Sequence, residues 1–197
     1  MATSIRFPEF GTPRLVLRQP TRADADEVLR IFSDPEVLRY YNVDMMTSRD
    51  DAISIIESRR RRYEMGYGIR WGIYLRQSGR YIGSCGYEVL HKPWHYAEIG
   101  YELARPYWRQ GYMTEALRSI IKFGFDRMDL HRIEAQVEPP NEPSRAVLRK
   151  LGFKEEGLAR ERGFWHGRYH DLTQFGLLRS DFEMPEPNAS ESGIRSP

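Results

Sequence analysis

Residues 98–116 read Glu-Ile-Gly-Tyr-Glu-Leu-Ala-Arg-Pro-Tyr-Trp-Arg-Gln-Gly-Tyr-Met-Thr-Glu-Ala, and this stretch decides the fold. The segment Tyr96 to Leu103 has the residue types of a β-strand, and a helical pattern of apolar residues starts at Ala116 and continues to Phe125. A short loop with a single glycine, Gly111, lies between them. The stretch therefore predicts a strand that passes through a tight turn directly into a helix.

A strand–glycine–helix junction is a candidate anion site. The first turn of a helix leaves backbone N–H groups without partners at the positive end of the helix dipole. Gly111 lets a phosphate approach the backbone, Thr114 adds a hydroxyl, and Arg109 adds a positive charge. The alternative is a tight turn that needs glycine for its geometry alone. The loop matches neither a Walker-type phosphate loop nor a three-glycine dinucleotide motif.

The rest of the chain predicts a mixed α/β fold. Helices are expected over Ala23–Phe32, from Ser48 or Thr47 to about Met65, and over Ser144–Leu151. The remaining strands are expected over 14–18, 69–76, 81–89, 133–137, 153–160 and 169–178. Three consecutive strands joined by short turns make the sheet largely antiparallel.

Length and composition predict one globular domain, residues 1–182, followed by a disordered Pro-, Ser- and Glu-rich tail, residues 183–197. With 40% hydrophobic and 29% charged residues, the chain resembles neither a disordered nor a membrane protein. A formal net charge of only +2 gives no reason to expect nucleic acid as a partner. No secretory signal or membrane span is visible, and a single cysteine excludes an internal disulfide, so a cytoplasmic location is expected.

Ordered matches along nearly the whole chain resemble the GNAT acetyltransferases, and within them the RimJ/RimL-like branch. The central match is the signature Tyr-Trp-x-x-Gly-Tyr-x-Thr-Glu-Ala at Tyr107 to Ala116. The other matches are Thr12 to Arg18, Gly72-Ile73, Tyr81 to Gly83, Glu98 to Leu103, Asn141-x-x-Ser144, Leu151 to Phe153, Glu156-Gly157 and Tyr169 to Asp171. Each fragment is weak alone, but their number and order are specific.

The resemblance implies an α+β fold with a mixed, largely antiparallel sheet of six to seven strands, flanked by about four helices. Two central strands, Tyr96–Leu103 and Ile133–Val137, splay apart, and the pantetheine arm of acetyl-CoA lies between them. The implied cofactor-binding residues are Tyr101, Leu103, Arg109, Gln110, Gly111, Tyr112, Met113, Thr114 and Asn141. Met113 departs from the family pattern, which has glycine or alanine there, so its side chain is expected to point away from the phosphate.

Three residues have competing interpretations. Asn141 matches the asparagine that contacts the pantetheine arm, or it caps a helix in a proline-rich loop. Ser144 matches a serine that donates to the leaving thiolate, or it is an ordinary serine at a helix start. Glu98 matches the position of the catalytic base in some GNAT enzymes, or it is a strand-edge carboxylate paired with arginine. The predicted catalytic residues are Glu98 and Ser144.

The base remains open between Glu98, Glu102, Glu161 and none. RimL-like enzymes tend to have a glutamate immediately before the aromatic residue that opens the last hairpin, but Gly163 precedes Phe164 here. Glu161 reaches a similar place only if the loop shifts. A missing base fits an α-amine acceptor better than lysine, because the α-amine has a reference pKa near 7.7–8.0 and lysine about 10.4.

The predicted function is transfer of an acetyl group to a primary amine, on a protein N-terminus or a small molecule, by a monomer or homodimer. Two alternatives stay open: an acyltransferase for a polyamine or antibiotic, and a coenzyme A-binding regulator without catalysis. The run Arg59 to Arg62 is read as the solvent face of a helix, with a nucleic-acid patch or a site for an acidic substrate as alternatives. No metal site is expected, because Pro93 separates His91 from His95.

Overall fold

The computed structural model describes residues 7–182, and residues 183–197, where the sequence predicts a disordered tail, lie outside the described part. Eight strands form one sheet in the order β1-β2-β3-β4-β5-β6-β8-β7. Their bounds are β1 Phe10–Gly11, β2 Leu15–Arg18, β3 Ile69–Leu75, β4 Tyr81–His91, β5 Tyr96–Leu103, β6 Arg132–Val137, β7 Lys154–Trp165 and β8 Arg168–Leu178. Every neighbouring pair is antiparallel except β5 and β6, which are parallel.

Five α-helices cover the sheet within residues 7–182: α1 Ala25–Phe32, α2 Pro35–Leu38, α3 Arg49–Glu64, α4 Tyr112–Arg127 and α5 Glu142–Lys150. The mixed, largely antiparallel α/β fold expected from the sequence is confirmed. The sheet has one strand more than expected, because the two residues of β1 are too few to leave a pattern in the sequence. The additional helix, α2, is a single turn that begins where Asp34 and Pro35 were expected only to end α1.

Local signals in the sequence explain why the two long helices begin where they do. The side chain of Ser48 accepts a hydrogen bond from Asp51 N–H, and the Asp51 side chain accepts one from Ser48 N–H, so a capping box starts α3. At α4 the preceding residue is Gly111, with φ of 79°, a left-handed conformation that glycine adopts without strain. The predicted strand–glycine–helix junction is therefore present.

The two faces of the sheet carry different helices. Helices α4 and α5 pack on one face over the main apolar core, which includes Ile99, Leu117, Ile133 and Phe175. Helices α1 to α3 pack on the other face over a smaller cluster, to which the sheet contributes Val16, Tyr74 and Tyr81 from β2, β3 and β4. In the described part of the chain, that second cluster includes no residue of β6, β7 or β8. The second face is thus left uncovered by helices beyond β5.

The arginine run on α3 was wrongly read as a solvent face. Arg59 forms an ion pair with the buried carboxylate of Glu102, and the Arg62 guanidinium donates to the carbonyl oxygen of Glu88. Only Arg60 and Arg61 are exposed. The two outer members of the run therefore fasten α3 to the sheet. No helix within residues 7–182 is long and apolar enough to cross a membrane.

Candidate active site

The central feature of the sheet is a gap between β5 and β6. These strands are in register at only three positions, from Tyr96 opposite Arg132 to Glu98 opposite Glu134. Beyond that point residues 99–103 of β5 and 135–137 of β6 are unpaired with each other. The expected splay of Tyr96–Leu103 and Ile133–Val137 is therefore present in the structure.

The backbone of β5 directs hydrogen-bonding groups into this gap. Ala104 N–H donates to Ile82 of β4 at 2.8 Å, so alternate residues along β5 bond toward β4. The residues between them, Tyr101 and Leu103, present their N–H groups toward β6. Trp108 Nε1 donates a hydrogen bond to the carbonyl oxygen of Leu103 at 2.6 Å. The gap can therefore accept an extended chain with amide groups as though it were another strand.

A loop with two left-handed residues ends the gap at the start of α4. Arg109 has φ of 59° and Gly111 φ of 79°, so successive N–H groups converge beside the first turn of α4. The Gln110 side chain donates to Pro106 O at 2.7 Å and does not point into the loop. Tyr112 and Thr114 lie in the first turn of α4. The loop has the geometry of an anion site.

The Met113 side chain points away from this loop. It is only 7% exposed and belongs to the main apolar core. A residue larger than glycine or alanine therefore fits here because its side chain is directed into the core, as expected from the sequence.

A carboxylate that the sequence reading did not single out holds the loop. Glu115 accepts from the Thr12 hydroxyl at 2.5 Å and from Arg14 Nε at 2.6 Å. Arg14 also donates to Gln110 O at 3.0 Å and lies over the Tyr112 ring. The segment before β2 is thus tied to the start of α4. The signal was available, since both Thr12-Pro13-Arg14 and Thr114-Glu115 belong to the recognised motifs.

An open groove of about 540 Å³ runs along the outer side of this loop. Three of its lining residues carry positive charge: Arg14, Arg118 and Lys150. Arg118 lies on α4, and Lys150 is the last residue of α5. The groove therefore supplies cations next to the convergent N–H groups of the loop.

Two hydroxyls meet at the gap on the face of α4 and α5. Tyr101 OH lies 2.7 Å from Ser144 Oγ, and burial raises the pKa of Tyr101 above its ordinary value. Asn141 Oδ1 accepts from Ser144 N–H at 3.2 Å, so Asn141 is the N-cap of α5. This is the capping role that was the alternative for Asn141. Tyr101, named for cofactor binding, thereby lies beside the predicted catalytic Ser144.

Glu98 and Glu102 share the opposite face but have different surroundings. The Glu98 side chain forms no hydrogen bond or ion pair within residues 7–182, and the arginine considered as its partner acts on it only through the charge of Arg162. Burial raises the pKa of Glu98, the negative charge of Glu134 adds to this, and Arg162 opposes it. A half-buried, unpaired carboxylate with a raised pKa has the properties of a general base.

Glu102 is instead enclosed by donors. Its carboxylate pairs with Arg70 and Arg59 and accepts from the hydroxyls of Ser84 and Tyr41, the last at 2.9 Å. Burial alone would raise the pKa of Glu102, but the charges of Arg70 and Arg59 outweigh it and the net pKa is lowered. A carboxylate with this many partners is poorly suited to accept a proton. Glu102 is therefore a structural group.

The hairpin of β7 and β8 explains the missing glutamate at position 163. A Cβ on Gly163 would overlap the indole ring of Trp165, which stacks on His170 with 3.8 Å between ring centroids. The space of a side chain at 163 is thus filled by Trp165. Glu161 is exposed, has φ of 52°, and donates its N–H to Asp171 at 2.7 Å. Its backbone is held by this bond at an irregular point of β7.

The sequence reading also missed a buried pair, Glu138 and His170. Glu138 Oε2 lies 3.1 Å from His170 Nδ1, and their side chains are 10% and 4% exposed. The two residues are 32 positions apart and no motif links them, so no signal in the sequence could have joined them. No group of three His, Cys, Asp or Glu side chains in the described residues is arranged to hold a metal ion.

A family model for the GNAT acetyltransferase domain matches residues 14–154. The chain belongs to the GNAT acetyltransferases. The match spans the gap, the loop before α4 and the start of α5, so the family resemblance read from the sequence is confirmed.

Individual relatives agree with this family assignment. The GNAT chain is 38% identical over 173 residues to an uncharacterised N-acetyltransferase, YoaA of Bacillus subtilis, covering 88% of this chain and 98% of the relative. The crystal structure of a GNAT-family acetyltransferase from Bacillus anthracis superposes with a TM-score of 0.77 at 25% identity, covering 87% and 98% of the two chains. The protein is therefore an acetyltransferase.

A third structure shares the fold. RimL, a ribosomal L7/L12 α-N-protein acetyltransferase solved in complex with coenzyme A, superposes with a TM-score of 0.78 at 19% identity, covering 87% of this GNAT chain and 98% of RimL.

Proposed function

We propose that this GNAT acetyltransferase transfers an acetyl group from acetyl-CoA to a primary amine by direct attack within a ternary complex. The observation that carries the proposal is the gap between β5 and β6, which ends at the convergent N–H groups of residues 109–114. An acyl-pantetheine arm is an extended chain with two amides, and a pyrophosphate is an anion. The gap and the loop match these two parts in the order in which they are joined in acetyl-CoA.

The fit of coenzyme A is supported by features on both sides of the loop. Buried Met113 keeps its own side chain out of the loop, and the groove beside it adds Arg118 and Lys150, together with Arg14 in its ion pair with Glu115, as cations for phosphate groups. RimL, which shares the fold, is solved with coenzyme A. Asn141 would contact the pantetheine arm through the groups that its capping bond to Ser144 leaves free.

The residues of the gap can supply the chemistry of thioester aminolysis. Leu103 N–H or Tyr101 N–H would donate to the thioester carbonyl oxygen, since both face the gap, and removing one such donor typically costs about a hundredfold in rate. The Ser144 hydroxyl, backed by Tyr101 OH, would donate a proton to the leaving thiolate. Glu98, with its raised pKa, would assist loss of a proton from the amine, through water if the amine lies deeper in the gap.

The acceptor that we propose is a protein N-terminal α-amine or a small-molecule amine. The ordinary pKa of an α-amine is near 7.7–8.0, so it loses its proton readily. RimL acts on the α-amine of a protein, which supports this class of acceptor. A polyamine or antibiotic amine is the alternative acceptor within the same chemistry.

The test is release of free thiol from acetyl-CoA, followed with a thiol reagent, over a panel of amines. The panel contains N-terminal peptides, peptides with an internal lysine and a blocked N-terminus, linear polyamines and aminoglycosides. The single cysteine, Cys85, is fully buried and adds little background. We expect the highest kcat/KM for α-amine peptides, and mass spectrometry of the products locates the acetyl group. Binding of coenzyme A without thiol release for any amine would refute the proposal.

A further inference from the structure

One oxygen of Glu138 is buried and has no donor. Its Oε2 lies 3.1 Å from His170 Nδ1, but its Oε1 has no hydrogen-bond partner among the described residues. A buried acceptor without a donor is unfavourable, and more so if it carries charge. Glu138 follows the last residue of β6, immediately beside the gap. Such a group at the edge of a substrate site is a candidate contact for a ligand.

His170 is unsuited to act as the free base in this pair. Its Nδ1 faces Glu138 Oε2, and its Nε2 faces the carbonyl oxygen of Trp165 at 3.3 Å. Both ring nitrogens thus already have a neighbour within hydrogen-bond distance, and neither faces the gap unpartnered. The stacked Trp165 fixes the plane of the ring. His170 therefore holds the Glu138 carboxylate in place, and Oε1 is the carboxylate oxygen of the pair that has no partner among the described residues.

The register of the two strands gives the level of each carboxylate along the gap. Glu98 is opposite Glu134, so Tyr101 is level with Val137, and Glu138 is one residue further. A strand rises about 3.3 Å per residue. Along the strand direction, Glu98 thus lies about 10 Å from the level of Tyr101 and its partner Ser144, whereas Glu138 lies about 3.3 Å from it.

The two groups also lie on suitable faces of the sheet. Val137 packs into the core beneath α4 and α5, the face on which Tyr101 meets Ser144. Successive residues of a strand face opposite sides, and Glu138 directly follows the end of β6, so continued alternation puts it on the face that α1 to α3 leave uncovered beyond β5. A thioester held in the gap would thus have a proton donor for its sulfur on one face and a buried, unpartnered carboxylate oxygen on the other.

We propose that Glu138 is a further catalytic residue, which binds the reacting ammonium of the acceptor through Oε1 and takes its first proton. This inference rests on the proposed acetyl transfer. Glu138 passes that proton to solvent, the amine nitrogen bonds to the carbonyl carbon, and the carbon–sulfur bond breaks. The second proton lost by the nitrogen replaces the one that Ser144 and Tyr101 deliver to the sulfur, so the products are the amide, free thiol and one proton. Glu98 then acts only at longer range.

The test compares Glu138→Gln with Glu98→Gln and with a matched control, Glu156→Gln. The Glu138→Gln substitution keeps the size of the side chain and an oxygen for His170 but removes the charge and the proton-accepting oxygen. Glu156 is an exposed carboxylate on β7 paired with Arg132, outside the gap. We expect kcat/KM for the best amine to fall at least about a hundredfold in Glu138→Gln, the usual scale for losing a general base, and less than about tenfold in Glu98→Gln. Glu156→Gln should match the wild type.

Two further measurements separate catalysis from structure. The Kd for coenzyme A should stay within about twofold of the wild type in Glu138→Gln, because the proposed contact of Glu138 is with the acceptor amine and not with coenzyme A. Glu138→Asp, which keeps the charge but withdraws the oxygen, should recover part of the lost kcat. If Glu138→Gln does not fold, Glu138→Asp still decides, because a wild-type kcat for it overturns the proposal. A wild-type kcat/KM in a folded Glu138→Gln variant, or a parallel loss of coenzyme A binding, also overturns the proposed role of Glu138. A wild-type enzyme that acetylates no amine refutes the proposed function instead.

Discussion

At the scale of single residues, the direction of one side chain decides whether a departure from a motif matters. Met113 occupies a place where the family pattern has glycine or alanine, yet its side chain lies in the apolar core and its N–H remains in the first turn of α4. In the proposed function the backbone group serves the anion site, whereas the side chain packs in the core. The two roles of Met113 are therefore separable by mutation.

Met113→Ala should lower stability and leave coenzyme A binding unchanged. Truncating a buried methionine to alanine costs about 2–5 kcal/mol, because the apolar contacts are lost and a cavity remains. The free energy of unfolding from denaturant titration and the Kd for coenzyme A from calorimetry measure the two effects. Arg118→Ala, in the basic groove, should show the reverse pattern, with weaker binding and wild-type stability. A Met113→Ala variant with impaired binding and normal stability would contradict the separation.

Residues governed by local rules could be predicted from the sequence, whereas those governed by long-range contacts could not. The cap at Ser48 and the glycine turn at Gly111 follow from neighbours within four positions. The inward turn of Arg59 depends on Glu102, 43 positions away, and the position of the Glu138 carboxylate depends on His170. A pairing of that kind leaves no pattern in a single sequence.

At the scale of elements, the β7–β8 hairpin shows how an aromatic side chain can replace a family glutamate. Trp165 lies over Gly163, stacks on His170 and offers its own carbonyl oxygen to that ring. The absence of a side chain at position 163 and the position of the indole thus require each other. The hairpin strands were expected over 153–160 and 169–178, and β7 extends five residues further because this cluster continues the pairing to Trp165.

Gly163→Glu should destabilise the protein by about 1–3 kcal/mol, because the new side chain displaces a packed indole. Adding Trp165→Ala to Gly163→Glu should recover part of that loss, since the space for the glutamate is then free. Thermal unfolding of the two single variants and the double variant measures this coupling. Strictly additive losses would show that Trp165 does not occupy the space of a side chain at position 163.

At the scale of the whole molecule, the sheet is two antiparallel halves joined by one short parallel contact. β1 to β5 form one half and β6 to β8 the other, and only the pairs from Tyr96–Arg132 to Glu98–Glu134 connect them in register. The order of elements along the chain predicted a mixed sheet. Only the family resemblance, however, predicted that the strands separate, because the extent of pairing between two strands more than 30 residues apart leaves no pattern in either strand's sequence.

Coenzyme A should protect the gap against hydrogen exchange more than the rest of the sheet. If the pantetheine arm bonds to β5, amide exchange at Tyr101 and Leu103 should slow beyond the general effect of ligand binding. That general effect is about 2.7 kcal/mol of stability at a ligand concentration of about 100 times Kd. Exchange measured by mass spectrometry with and without coenzyme A tests this, with the β3–β4 amides from Ile69 to Ile73 as the internal reference. Equal protection in both regions would contradict binding in the gap.

The short parallel contact has a further consequence for how the protein moves. The two halves of the sheet, β1 to β5 and β6 to β8, are joined in the middle by three in-register residue pairs at one end of the β5–β6 edge. This contact has the geometry of a hinge. A small rotation about this contact would change the distance between residues 101 and 137 most. It would change the distance between the paired residues 98 and 134 least. A ligand long enough to contact both halves of the sheet would fix the angle between them. The first substrate to bind would therefore also set the shape of the cleft that the second substrate enters.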